Sequence, residues 1–348
     1  MYLDGVVFDL QKSGGISIYF SELVTKLNKE KIPHKLIDIQ KSNNKCLREY
    51  GINWKSKKVL IPRSISRYMD VNVSPECSIF HSSYYRLPKK KYRNTCVVIT
   101  TVHDFAYEKF VKGWRQKLHF WQKKRAILKS DVLICISQST YDDMVQLIPE
   151  SVTKDVRIIH NGCSDDFKPL HQSENKCSNN ILFIGARGRY KNFESVVNAL
   201  SLSDKYTLLV VGGGRLEDSE RHLLESKLRN RFHKLDFISN KELNKLYNEA
   251  HCLVYPSLYE GFGIPVIEAM KAGCPVIACN TSSIPEVAGG KAILLDKLSP
   301  EELYKAIVLL ESSNLRSSMV FGGIQNGSRF SWDNTFEKVI KIYKESTF

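Results

Sequence analysis

Cys252-Leu-Val-Tyr-Pro-Ser-Leu-Tyr-Glu-Gly-Phe-Gly-Ile-Pro-Val-Ile-Glu-Ala-Met-Lys-Ala-Gly-Cys-Pro-Val-Ile-Ala278 carries the punctuation from which the fold is read. The apolar run Cys252 to Tyr255 has the length of a buried strand and stops at the turn formers Pro256 and Ser257. Gly261-Phe-Gly263 supplies a loop whose backbone can approach a ligand closely. Pro265 sits where a helix begins, since its missing N–H costs nothing there. The helix passes Ile267, Ala269 and Met270 and stops at Gly273, suited to a left-handed cap. Pro275 to Ala278 then reads as the next strand. A strand–loop–helix–strand unit aims the helix N-terminus, at Gly263 and Ile264, out of the sheet, and such a terminus binds anions.

Two carboxylates frame that terminus, Glu260 in the loop and Glu268 inside the helix. A phosphate on the helix end, with hydroxyls on either side accepted by the glutamates, describes a sugar–diphosphate–ribose ligand. The plainer alternative is an ordinary βαβ unit with two solvated glutamates.

Outward from this stretch the chain alternates short apolar runs with helical patterns. Residues 3–10 and Lys35–Ile39 read as strands, and Gly14-Gly15 opens a helix bearing Ile18, Leu23 and Leu27. A glycine pair there admits a phosphate or makes a simple turn. Ser78-Ile-Phe-His ends in His81 to Arg86, polar side chains that either line a cleft or cap the strand. Thr95 to Val102 is nearly all β-branched or apolar and delivers His103 and Asp104 at its carboxyl end, where open α/β sheets place their ligands. Val156 to Gly162 is a strand and turn, and residues 164–180 read as a linker. Asn180-Ile-Leu-Phe-Ile-Gly185 leads to Arg187, Arg189 and Lys191, a cationic rim suited to a diphosphate. Tyr206 to Gly214 is a strand with a triple-glycine end, which does not fit a dinucleotide Gly-x-Gly-x-x-Gly. Asn240 reads as the cap of the helix beyond.

These residues resemble the retaining glycosyltransferases of family 4, of the GT-B fold. Glu260-x7-Glu268 with Gly-Phe-Gly and Pro265 is similar to that family's motif, and so is Asn280-Thr-Ser-Ser-Ile-Pro-Glu286-Val-Ala-Gly-Gly290. The resemblance implies that Glu260 contacts donor-sugar hydroxyls and Glu268 the nucleotide ribose. It implies that Gly14-Gly15 lies beside the diphosphate and acceptor, that His103 faces the reacting sugar, and that Asp104 supports the site. It further implies that an Arg and Lys191 neutralise the leaving nucleoside diphosphate. Arg187 and Arg189 are both available, and Arg187 is preferred. The implied architecture is two doubly wound Rossmann-like α/β domains facing a cleft. Residues 1–165 bind the acceptor, residues 166–330 bind the nucleotide sugar, and a final helix over 331–348 packs back on the first domain.

Charge adds a partner. Residues 1–165 hold 28 Lys+Arg against 16 Asp+Glu, and residues 166–348 hold 23 against 21. Nearly all of the net +14 therefore lies in the first half. Its densest part, 109–129, has eight Lys/Arg and no acid, with Phe110, Trp114, Leu118, Phe120 and Trp121. Such a basic, aromatic helix suits an anionic membrane surface; otherwise it is a helix with a solvated basic face and an apolar face in the core. No nucleic-acid motif accompanies it. Nine cysteines without a Cys-x-x-Cys pair fit reduced thiols. No apolar run reaches the ~20 residues of a membrane span. The expected location is cytoplasmic, peripheral on the inner face of the cytoplasmic membrane.

The expected activity is retaining, metal-independent transfer of a hexose from a nucleotide-sugar donor to a lipid-linked glycan acceptor of O-antigen or capsule synthesis. Mannose from GDP-mannose is the preferred donor, no cofactor is needed, and no Asp-x-Asp occurs. The alternatives are a GT-B-fold nucleotide-sugar epimerase or hydrolase, and a non-catalytic, membrane-associated nucleotide-sugar-binding protein.

Overall fold

A computed structural model describes residues 1–40, 42–54, 61–170, 178–236 and 238–346. The side chain of Arg189 and part of the expected linker, 171–177, lie outside the described residues. The chain divides into two units, Met1–Gly162 with Trp332–Phe348, and Cys163–Ser331.

The first unit is a six-stranded parallel sheet. Its strands are β1 (Tyr2–Asp4), β2 (Lys35–Ile37), β3 (Ile79–Ser82), β4 (Val97–Val102), β5 (Val132–Cys135) and β6 (Asp155–Ile158), in the order β2-β1-β3-β4-β5-β6. Parallel sheets bury both faces, so their strands read as continuous apolar runs. Alternation within β5 shows this. Ile134 packs with the helix Gly15–Lys29 and the helix Trp332–Glu345, whereas Leu133 and Cys135 pack with Ile127 and Met144 on the other face.

The second unit repeats the plan. Its strands are β7 (Asn180–Ile184), β8 (Thr207–Val211), β9 (Phe232–Leu235), β10 (Cys252–Tyr255), β11 (Val276–Cys279) and β12 (Ile293–Leu295). Their order is β12-β11-β10-β7-β8-β9, again parallel throughout. Both units are the doubly wound α/β kind expected from sequence. In both, the order steps outward in opposite directions from the strands at the centre, the arrangement that opens ligand crevices at the strands' carboxyl ends.

Three local expectations change. The strand expected over 3–10 ends at Asp4, whose Oδ1 accepts the Val6 amide at 3.2 Å, and Val7–Leu10 turns helical. The segment 109–129 is not one helix: Ala106–Phe110 and Trp114–Lys129 are separated at Gly113, where φ is 103°. The helix Asn240–Glu249 is capped by Ser239, not Asn240, in a reciprocal pair with Glu242.

The polar cluster after β3 serves the interior. His81 is buried, its Nδ1 2.6 Å from the Tyr343 hydroxyl and its Nε2 2.7 Å from Thr101 Oγ1. Arg86 is 2% exposed and bonds Asp4 and Asp38, and the Ser83 hydroxyl accepts the Val7 amide at 3.4 Å. Of the two readings of His81–Arg86, this is the capping one. Burial pushes the His81 imidazole down to about 3, so it stays neutral and both ring nitrogens rely on hydroxyl partners.

Tyr343→Phe leaves one of those nitrogens unpaired in the core. Urea unfolding at pH 7 should show a loss of about 1–3 kcal/mol; a variant as stable as wild type would mean that the Tyr343–His81 bond contributes nothing.

Candidate functional site

In the second unit the loops after β7, β8 and β10 lie side by side because those strands are neighbours. The Leu258 amide donates to the Tyr190 carbonyl at 2.8 Å, tying the β10 loop to the β7 loop. Lys191 and Glu260 consequently meet in an ion pair, each side chain about 13–14% exposed. The Lys191 ammonium also lies 5.5 Å from the Tyr255 ring and 5.2 Å from the Tyr190 ring. The Glu260 backbone is held at both ends: its amide donates to Ser282 Oγ at 2.9 Å, and its carbonyl accepts from Ser283 Oγ at 2.9 Å.

The helix Ile264–Ala272 starts at Gly263, with φ 96° and ψ 49°. A Cβ there would stand 2.7 Å from Ile284 Cδ1. The left-handed backbone and the close neighbour both require glycine. Gly273 closes the same helix with φ 79°. Glu268, inside the helix, accepts from the Tyr247 hydroxyl at 3.0 Å. Burial raises its carboxyl to about 7, against the Tyr247 bond, which lowers it. Tyr255 plays the matching part toward Glu260. Its hydroxyl is held well above the usual phenol range by burial and by the Glu260 carboxylate. Each glutamate thus has a buried tyrosine behind it.

Arg187 has other partners than Lys191. Its Nε donates to Glu220 at 2.9 Å, and its terminal nitrogens donate to the carbonyls of Gly212, Gly213, Gly214 and Arg215 at 2.7–3.4 Å. The side chain is 3% exposed. Of the expected cationic rim, Lys191 sits at Glu260 while Arg187 organises the loop after β8.

In the first unit, His103 ends β4 and is 5% exposed. Burial and the nearby Lys123 ammonium hold its imidazole down to about 3. Its Nε2 is buried without a hydrogen-bond partner among the described residues, and such an atom in a native interior calls for an explanation. The Tyr19 ring packs edge-on against it at 5.3 Å. Tyr19 belongs to the helix Gly15–Lys29, so the turn at Gly14-Gly15 and His103 fall in one neighbourhood. Gly14 is extended, and its carbonyl accepts from Ser17 Oγ at 2.9 Å and from the Ile18 amide at 3.0 Å.

The basic aromatic segment divides by role. Lys109, Lys123, Lys124 and Arg125 pair with Asp143, Glu108, Glu150 and Asp70. Lys112, Arg115, Lys117 and Lys129 are exposed, and no ion pair joins them to a carboxylate among the described residues. Trp114 and Trp121 are 70% and 54% exposed. Trp114, Lys117 and Trp121 follow helical spacing along one face.

Functional candidates that sequence reasoning missed are Tyr247, Tyr255, Ser282, Ser283 and Lys123. Ser282 and Ser283 follow β11 in a Thr-Ser-Ser run, a usable signal. The tyrosines and Lys123 gave none, since their role depends on which way a side chain turns.

Comparison with known proteins follows the same division of the chain. Residues 13–167 match the Glycosyltransferase Family 4 model, and residues 166–323 match the Glycosyl transferases group 1 model. O-antigen chain mannosyltransferase B of Escherichia coli is 25% identical over 295 residues, 76% of this chain and 74% of that protein. O-antigen chain mannosyltransferase RfbU of Salmonella typhimurium is 30% identical over 220 residues, 61% of this chain and 60% of that protein. Among solved structures, Anabaena HepE in complex with UDP-glucose superposes with a TM-score of 0.76 at 14% identity, covering 99% of both chains, a likeness of fold alone. With both halves matched and the GT-B fold shared, the chain belongs to the glycosyltransferases, family 4 in its first half and group 1 in its second.

Proposed function

We propose that the protein transfers a hexose, with retention and without a metal, from a nucleotide sugar to a hydroxyl of a lipid-linked glycan in O-antigen or capsule synthesis. The observation that carries this is the pairing of Lys191 with Glu260 beside the Gly263 helix terminus. Departure of a nucleoside diphosphate builds negative charge on oxygen, and a cation with the amides of a helix N-terminus stabilises it. Glu260 accepts hydroxyls of the sugar. As it does so, Lys191 exchanges one anionic partner for another and turns to the phosphate. Glu268 accepts the ribose hydroxyls, and His103 bonds the sugar near the reacting carbon through its unpartnered Nε2. GDP-mannose is the donor we favour, because the two relatives described above are mannosyltransferases of O-antigen chains.

A donor screen tests this. Purified protein is offered GDP-, UDP- and dTDP-sugars with and without bacterial lipid extract, and released nucleoside diphosphate is measured. Release from GDP-mannose, raised by the lipid, is expected. Glu260→Ala and Lys191→Ala should each lower transfer about a hundredfold; rates within about twofold of wild type would remove both from the site.

Glu268 gives the reaction a pH signature. Only the ionised carboxylate accepts two hydroxyls, and its folded value is about 7, so GDP affinity should weaken as pH falls through 7. Tyr247→Phe removes the bond that lowers the Glu268 value, so the midpoint should move to higher pH. Calorimetric titration of GDP between pH 6 and 8.5 reads both, and a midpoint that stays put in the variant would separate Tyr247 from Glu268.

The exposed face of the helix Trp114–Lys129 is proposed to rest on an anionic bilayer, its tryptophans at the headgroup level and its unpaired cations on the lipid charge. Trp114→Ala with Trp121→Ala should cut sedimentation with phosphatidylglycerol vesicles at least tenfold, and raising salt from 0.1 to 0.5 M should weaken wild-type binding. Equal binding to neutral vesicles at both salts would refute the electrostatic part.

A further inference from the structure

The turn that presents His103 is held from beneath by groups outside its own strand. Lys123, on the helix Trp114–Lys129, is 1% exposed although it belongs to the most basic segment of the chain. Its Nζ donates to the Asp104 carbonyl at 2.8 Å and to Glu108 Oε2 at 2.6 Å. The ammonium lies 4.4 Å from the Phe105 ring centroid and 5.0 Å from that of Tyr85. Glu108 is fixed in turn by His119 Nδ1 at 2.7 Å on its other oxygen. Asp104 Oδ1 accepts the Ala106 amide at 3.1 Å, closing the turn. Tyr85, whose ring faces the same ammonium, sits at φ 60°. A bulky residue keeps that backbone only where its surroundings impose it.

Taking an ammonium out of water is costly unless its partners compensate, so a buried lysine needs a reason. We propose that Lys123 is a positioning residue for His103, clamping the Asp104 carbonyl so that the imidazole stands with its Nε2 free to meet the transferred sugar. The proposal rests on the reading of His103 given above. A positive charge fixed nearby also disfavours a second one on the ring. The groups facing His103 are Tyr19 from the helix Gly15–Lys29, His81 from β3, Lys123 from the helix Trp114–Lys129, and Tyr85 and Asp104 around the turn itself. Lys123 is the one fixed cation among them, and its removal raises the proton affinity of the ring.

The test pairs Lys123→Met with Glu108→Gln, so that no buried carboxylate loses its cation. Two readings are taken: transfer from GDP-mannose to lipid extract, and the NMR titration of the His103 ring, assigned by its loss in His103→Ala. The paired variant should lose at least tenfold in kcat with the donor KM within about twofold, and its His103 titration should move to higher pH. Adding His103→Ala should lower the rate no further, because both changes remove one function. A further tenfold loss, or an unmoved titration, overturns the proposal. Lys123→Gln in place of Lys123→Met restores a donor to the Asp104 carbonyl and should recover part of the rate; equal rates for the two substitutions likewise overturn it. If His103→Ala alone transfers at the wild-type rate, the reading of His103 is what fails, and the titration still decides the role of Lys123.

Discussion

The twelve strands of the described residues lie in parallel sheets, and this one constraint decides where chemistry can happen. A parallel sheet buries both faces, so its side chains go to packing and its polar work gathers at the strand ends. The carboxyl ends share one edge, where loops and helix N-termini leave amides free. Gly185, Gly212, Glu260 and Gly263 follow β7, β8 and β10 on that edge in one unit. His103 and Asp104 follow β4 in the other. Position along the chain is scattered; within each unit the carboxyl edge of its own sheet is shared.

Two cations on this edge already have partners. Lys191 holds Glu260, and Arg187 holds Glu220 and four carbonyls. An ion pair this little exposed would be costly to break by removing one partner, because the survivor is left buried and unpaired. Exchange of partners carries no such penalty. A ligand that offers hydroxyls to the glutamate and phosphate oxygens to the lysine replaces each lost bond with another. The arrangement therefore favours ligands with both kinds of group over those with one.

Much of this was legible in the sequence where chemistry and punctuation coincide. Pro265 and Gly273 bracket the helix Ile264–Ala272 because ring closure and missing Cβ have few other uses there. The β-branched run before His103 could hardly be anything but a central strand. Legibility failed where a residue type has two good uses. Val6 to Leu10 reads as strand by apolarity, but the Asp4 side chain turns the chain first. Lys123 and Lys124 are adjacent and identical as letters, yet one is buried on Glu108 and the other half exposed on Glu150. Their difference is a rotation of about 100° around a helix, the step per residue at 3.6 residues per turn. Periodicity can register it only when the buried member is apolar.

The triple glycine after β8 shows the same limit from the other side. Gly212-Gly213-Gly214 invites the thought of a nucleotide pressing on bare backbone. The structure gives the middle glycine a different reason. A Cβ on Gly213 would stand 2.4 Å from the Gly185 carbonyl oxygen and 2.5 Å from Arg187 Nη1, and its φ is 73°. What presses on this backbone is the neighbouring loop and its arginine. The glycine lets the loops of β7 and β8 close on each other, and Arg187 fastens them with bonds to the carbonyls so exposed. Arg187 is thereby committed to the loop after β8. A glycine required by packing and an arginine spent on its carbonyls are two sides of one local solution, and together they leave Lys191 and the Gly263 helix terminus as the cationic and amide groups presented beside Glu260.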